Sequence, residues 1–77
     1  MNIKILGTGC PNCNALEKRV RKLIDEHKIQ SEVTMVKDIM DIMSYNIMST
    51  PALVINENVV VKGRVPSEKE LLKLFNS

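Results

Sequence analysis

The chain has no tryptophan, one tyrosine and one phenylalanine among its 77 residues. Eleven Lys and Arg against nine Asp and Glu leave a net charge of +2. The sequence therefore lacks both the aromatic platform that stacks bases and the basic block that tracks phosphates, which argues against nucleic acid as a partner. Long apolar runs are also missing. The longest, Ala52-Leu53-Val54-Ile55, falls far short of the ~20 residues that span a bilayer, and Met1-Asn2-Ile3-Lys4 opens directly into a strand-like pattern instead of a signal peptide. We expect no membrane association and a cytoplasmic location. Two cysteines are too few for the disulfide framework of a secreted mini-protein, and a closed zinc site needs about four ligands where the chain adds a single histidine. No repeat, linker or low-complexity segment interrupts the sequence.

What is present suits one small domain spanning residues 1–77. The apolar fraction of 44% with 26% charged residues is ordinary for a globular chain. At this length only about 60% of the unfolded surface is buried on folding, so the core has to be well packed. Ile3, Ile5 and Leu6 suggest a first strand over residues 2–6, ended by Gly7-Thr8-Gly9, where glycine lets the backbone turn. From Cys13 the apolar positions Leu16, Val20, Leu23, Ile24 and His27 recur at helical spacing, with charges on the other faces, to a boundary near Lys28. Glu17 with Arg21, and Arg21 with Asp25, are opposite charges four apart on that helix.

Residues 32–36 read as a second strand, and Asp38 can cap a second helix whose apolar positions are Ile39, Ile42, Met43 and Ile47. Pro51 stops that helix by Thr50. Ala52 to Ile55 suits a strand buried on both faces, and Val59-Val60-Val61 completes a hairpin after "NEN". Ser67 and Glu70 have capping-box spacing ahead of Leu71, Leu72, Leu74 and Phe75, so a third helix follows. The order is βαβαββα, an α/β class with a four-stranded mixed sheet and helices on both faces. Met35, Met40, Met43 and Met48 fall where methionine serves as adaptable packing, and Tyr45 and Phe75 are read the same way.

The chemistry is concentrated in "GTGCPNC". If the helix begins at the motif, Cys10 lies at its N-terminal end and Pro11 fills the first turn, where a missing N–H costs nothing. The free backbone N–H groups and the helix dipole there favour a thiolate. Cys13, one turn on, starts the apolar stripe and is expected to be the less exposed sulfur, within reach of a disulfide. On this reading Cys10 attacks a substrate disulfide and Cys13 resolves the mixed disulfide. Thr8 and Asn12 could tune the pair through hydrogen bonds, and Lys62 and Arg64 could help bind an acidic partner.

The strand leading into "GTGCPNC", the "STPALVI" segment and the closing hairpin, Gly63 and helix together resemble the thioredoxin and glutaredoxin superfamily, most closely its small redox-active disulfide proteins. The resemblance covers nearly the whole chain and implies a minimal thioredoxin-like fold. It also implies a cis Pro51 beside the cysteines and a Thr50 backbone that pairs with substrate. Gly9 and Pro11, flanking Cys10, are assigned with Thr50 and Pro51 to the substrate-binding surface. Gly9 stands where thioredoxins carry tryptophan, and "KGRVPS" stands where glutaredoxins hold glutathione. The expected activity is thiol-disulfide exchange by a monomer with no cofactor and no metal. Its substrate would be a disulfide-containing protein or small molecule, and a separate reductase or dithiol would donate the electrons. Two alternatives use the same thiolates: a soft-metal, copper-type trafficking module, which would end in a strand after a second helix, and a sensor domain without turnover.

Overall fold

The computed structural model describes residues 1–47 and 49–76, and its elements follow the order expected from the sequence. Met48, one of the four methionines assigned to packing, and Ser77 lie outside the described residues. Strand β1 (Asn2–Leu6) pairs in parallel with β2 (Glu32–Val36) on one side and antiparallel with β3 (Ala52–Ile55) on the other. Strand β4 (Asn58–Lys62) pairs antiparallel with β3, giving a mixed sheet of order β2-β1-β3-β4. Asn56 and Glu57 both have positive φ, 50° and 69°, the signature of a two-residue turn whose twist matches the strands it joins. A bulge lies where Leu53 faces Val61 and Val54 faces Val59.

Strand alternation divides the apolar side chains between two faces. On one face Ile3, Ile5, Leu53, Ile55 and Val61 meet Leu16, Val20 and Leu23 of α1 (Pro11–Glu26) and Leu71 and Phe75 of α3 (Glu68–Phe75). On the other, Leu6, Ala52 and Val54 pack with Ile42 of α2 (Ile39–Met43) and Ile47. All four residues of β3 are buried, as its continuous apolar run required. Burial of a side chain of this size contributes about 1.5 to 3 kcal/mol, so the larger cluster under α1 and α3 carries most of the stability. Helix α1 closes with His27 donating its backbone N–H to Leu23 at 3.0 Å and Lys28 at φ 51°. His27 is exposed, so it caps the helix without extending the apolar stripe. Arg21 reaches Glu17, while the second pair on this helix is Lys22 with Glu26 instead of Arg21 with Asp25.

Helix α2 departs from the expectation. It is five residues long and buries only Ile42; Ile39, Met40 and Met43 are 61%, 75% and 62% exposed. The reason is local. Asp38 Oδ1 accepts the Met40 N–H at 2.8 Å and starts the helix, but Asn46 at φ 59° reverses the chain before a second apolar turn can form. Ile47 thus reaches the core from the following loop, and the packing role expected of Met40 and Met43 is not met. Met35 does pack against the larger cluster. Among the described residues no helix is long and apolar enough to cross a membrane.

Candidate active site

The site grows from the C-terminal end of β1. Gly7 continues the strand's hydrogen bonding by donating its N–H to the Val36 carbonyl at 3.0 Å, and it is buried. Thr8 and Gly9 then swing outward, Gly9 at φ +91° with open space where a Cβ would stand. That backbone favours glycine even though nothing crowds it. Cys10, at φ −68° and ψ 163°, is the N-cap of α1, and Pro11 is the first helical residue.

The cap is a sulfur. The Cys13 backbone N–H donates to Cys10 Sγ at 3.1 Å, and the Cys10 carbonyl accepts the Asn14 N–H at 3.0 Å. The Cys10 side chain therefore satisfies one of the donors that a helix start leaves free, the position normally taken by Ser, Thr, Asp or Asn. No acidic residue stands in the first turn, so nothing there opposes negative charge on that sulfur. Cys10 and Cys13 form a disulfide with their Cα atoms 5.0 Å apart. Cys10 is half-buried and Cys13 is fully buried at the head of the Leu16, Val20 and Leu23 stripe.

A second segment meets the motif from β3. The register pairs Leu6 with Ala52, which brings Thr50 and Pro51 to the strand end from which residues 7 to 10 depart. The Thr50–Pro51 bond is cis, Thr50 is exposed and Pro51 is buried. Gly63, just beyond β4, donates its N–H to the Pro51 carbonyl at 2.9 Å, and a Cβ on it would stand 3.1 Å from Ser49 Cβ. The loop after β4 thus backs directly onto the residues before β3. Arg64 beside it forms a two-pronged pair with Glu70, one contact at 2.8 Å. This diverts Glu70 from the reciprocal half of its capping box, although Ser67 Oγ still accepts the Glu70 N–H at 3.2 Å. The Glu70 hydrogen bond raises Arg64 above its ordinary range, and Arg64 in turn lowers the Glu70 carboxyl.

Of the residues assigned from sequence, Cys10 and Cys13 are bonded, Gly9 and Pro11 flank them on the exposed surface, and Thr50 and Pro51 lie at the same end of the sheet. Lys62 pairs with Ala52 at that end and is exposed, whereas the Arg64 guanidinium is engaged by Glu70. Thr8 and Asn12 make no side-chain hydrogen bond among the described residues in this disulfide-bonded state. Sequence reasoning missed Gly7, whose neighbour is the second cysteine: a Cβ there would overlap Cys13 Sγ and lie 3.0 Å from Cys13 Cβ. It also missed Lys4, which donates to Glu57 Oε1 at 2.7 Å and to the Tyr45 hydroxyl at 3.0 Å with its Nζ 5.8 Å from that ring's centre. These partners, Glu57 first, hold the Lys4 ammonium well above the usual lysine range. Among the described residues no group of three or more His, Cys, Asp or Glu is placed to hold a metal ion.

The model of the thioredoxin domain family matches residues 1–76 of the chain. A thioredoxin of Methanothermobacter thermautotrophicus is 34% identical over 76 residues, covering 99% of both chains. The chain belongs to the thioredoxin family. A second thioredoxin, from Methanocaldococcus jannaschii, is 35% identical over 75 residues, covering 97% of this chain and 86% of its own length. Membership of the thioredoxin family, with a bonded C-x-x-C at a helix start, makes the chain a thiol-disulfide oxidoreductase. The copper-type alternative required a terminal strand, and α3 stands in its place.

Proposed function

We propose that residues 1–77 act as a single, monomeric cytoplasmic domain in which Cys10 is the nucleophile and Cys13 the resolving thiol. The carrying observation is the Cys10 Sγ at the N-cap of α1, half-buried and accepting the Cys13 N–H, against a Cys13 that is fully buried. A thiolate is the reactive form of cysteine, and a helix N-terminus favours it.

In the reductive direction, the Cys10 thiolate attacks one sulfur of a substrate disulfide. A Cys10–substrate disulfide forms, and the other substrate sulfur leaves as a thiolate. Cys13 then attacks Cys10 Sγ, forming the Cys10–Cys13 bond and releasing the second substrate sulfur. Two electrons pass from the pair to the substrate. Cys13 gives up its proton as it attacks, to the departing substrate thiolate or to the surrounding solvent. Substrates are disulfide-containing proteins or small molecules, and a separate reductase or dithiol returns the electrons. Gly9, Pro11 and Thr50 form the surface they meet, with the buried Pro51 next to Thr50 in the site and the Thr50 backbone pairing with the substrate chain; the exposure of Gly9, Pro11 and Thr50 supports this.

Mass spectrometry of single-cysteine variants tests the assignment. After reaction with 5,5′-dithiobis(2-nitrobenzoate), Cys13→Ser should hold one thionitrobenzoate on Cys10 as a lasting adduct, while Cys10→Ser should react far more slowly. Faster labelling of Cys13 than of Cys10 would reverse the roles. A wild-type pair that fails to close into a disulfide across dithiothreitol ratios would end the redox assignment and turn attention to soft-metal binding.

A further inference from the structure

We infer that Gly7 is a positioning residue for the resolving step: its missing side chain is the seat of the Cys13 sulfur. The inference rests on Cys13 being the resolving thiol and goes beyond it by naming what sets that sulfur's place. Gly7 does not adopt a positive φ, so the turn after β1 is not what demands glycine. Space does. A Cβ at position 7 would overlap Cys13 Sγ and stand 3.0 Å from Cys13 Cβ, tighter than most side-chain carbon contacts.

Neither partner can move aside cheaply. Gly7 is fixed by its N–H bond to the Val36 carbonyl on β2, and it is buried. Cys13 is 0% exposed and belongs to the first turn of α1, whose next buried positions, Leu16 and Val20, are locked into the larger core cluster. A methyl group at position 7 therefore forces the Cys13 side chain away from β1. Cys10 does not share the constraint, since it sits three residues along the chain on the exposed side of the glycine turn, and Gly9 beside it has no neighbour within 4 Å of its missing Cβ. The geometry thus separates the two half-reactions: Gly7 serves Cys13 and leaves Cys10 alone.

In the half-reactions with 5,5′-dithiobis(2-nitrobenzoate), attack by Cys10 breaks the reagent disulfide and releases one thionitrobenzoate. Attack by Cys13 on Cys10 Sγ then closes the protein disulfide and releases the second, its proton passing to buffer. Stopped-flow absorbance resolves the two releases when the first is fast. For pre-reduced Gly7→Ala, the expected result is a first phase within twofold of wild type and a second phase slowed at least tenfold. Unchanged second-phase rates, or equal slowing of both phases, would overturn the inference. A wild type lacking a fast first release would instead refute the assignment of Cys10 as nucleophile.

A double-mutant cycle in urea on the reduced proteins gives an independent reading if Gly7→Ala folds poorly. Gly7→Ala should lower the unfolding midpoint less in a Cys13→Ala background, where the obstructing sulfur is gone, than in the parent. Equal shifts in both backgrounds, or a double variant that does not fold while Cys13→Ala does, would show that the sulfur is not what the glycine accommodates.

Discussion

Helix α2 offers a sharp test because its two isoleucines are chemically identical and three residues apart. Ile42 is 6% exposed and packs with Leu6, Ile47, Ala52 and Val54, whereas Ile39 is 61% exposed. Truncating a buried Ile to Ala costs about 2 to 5 kcal/mol. Among the described residues the cluster around Ile42 has five buried members in a small protein, so the neighbours can partly close the gap and the lower half of that range applies, about 2 to 3 kcal/mol. For a domain of this size each kcal/mol moves the melting temperature by roughly 4 to 8 °C, so Ile42→Ala should melt about 8 to 24 °C lower. Ile39→Ala removes a side chain that is mostly in water and should stay within about 0.5 kcal/mol of the parent. Urea unfolding followed by circular dichroism, with all three proteins reduced and the denaturant slope compared, measures both values. Equal losses from the two variants would show that α2 presents a different face and would refute the packing described for it. The measurement also bears on the site, because Leu6 and Ala52 are the strand ends from which the cysteine motif departs and at which Thr50 and Pro51 arrive.

Three further outcomes follow from individual contacts. Ser67→Ala removes the N-cap of α3 and should cost about 1 kcal/mol in the same unfolding assay, with Ser67→Thr retaining most of it. Arg64 lowers the Glu70 carboxyl in the folded state, so their pair stabilises the fold above the unfolded carboxylate range and is lost as pH falls through the folded value. The stability gap between wild type and Arg64→Ala should therefore be flat near neutrality, narrow on acidification and shrink with added salt; a gap that widens in acid would contradict the pairing. Lys4, raised by Glu57 and Tyr45, contributes stability that is fully present below the unfolded lysine value and lost only as pH rises through the folded one. Lys4→Met should consequently show a constant deficit from pH 6 to 9, measured by thermal melts across that range.

Much of this molecule was legible in the sequence because its signals are local. Pro51 and the run from Ala52 to Ile55 marked β3 to the residue, Ser67 marked the start of α3, and the glycines before Cys10 marked the helix start that carries the chemistry. The spacing of Ile39, Ile42, Met43 and Ile47 misled, because apolar periodicity does not reveal a chain reversal at Asn46 that turns one continuous stripe into a single turn plus a loop. Lys4 could not be read from its neighbours either. It follows the strand alternation onto the thinly covered face, and its partners Tyr45 and Glu57 are 41 and 53 positions away. Gly7 reads as part of a tight turn because glycine's freedom and glycine's smallness leave the same letter in the sequence; only the packed Cys13 sulfur distinguishes them.

The N-cap of the longest helix is itself one of the two sulfurs of the disulfide. In most proteins a helix cap is chemically inert, and the helix end is the same at every moment of the working cycle. Here the capping sulfur is one of the pair that closes into the disulfide, and the Cys13 amide donates to it in that bonded state. That one amide proton therefore stands where opening the disulfide changes the atom it faces, at the first turn of α1.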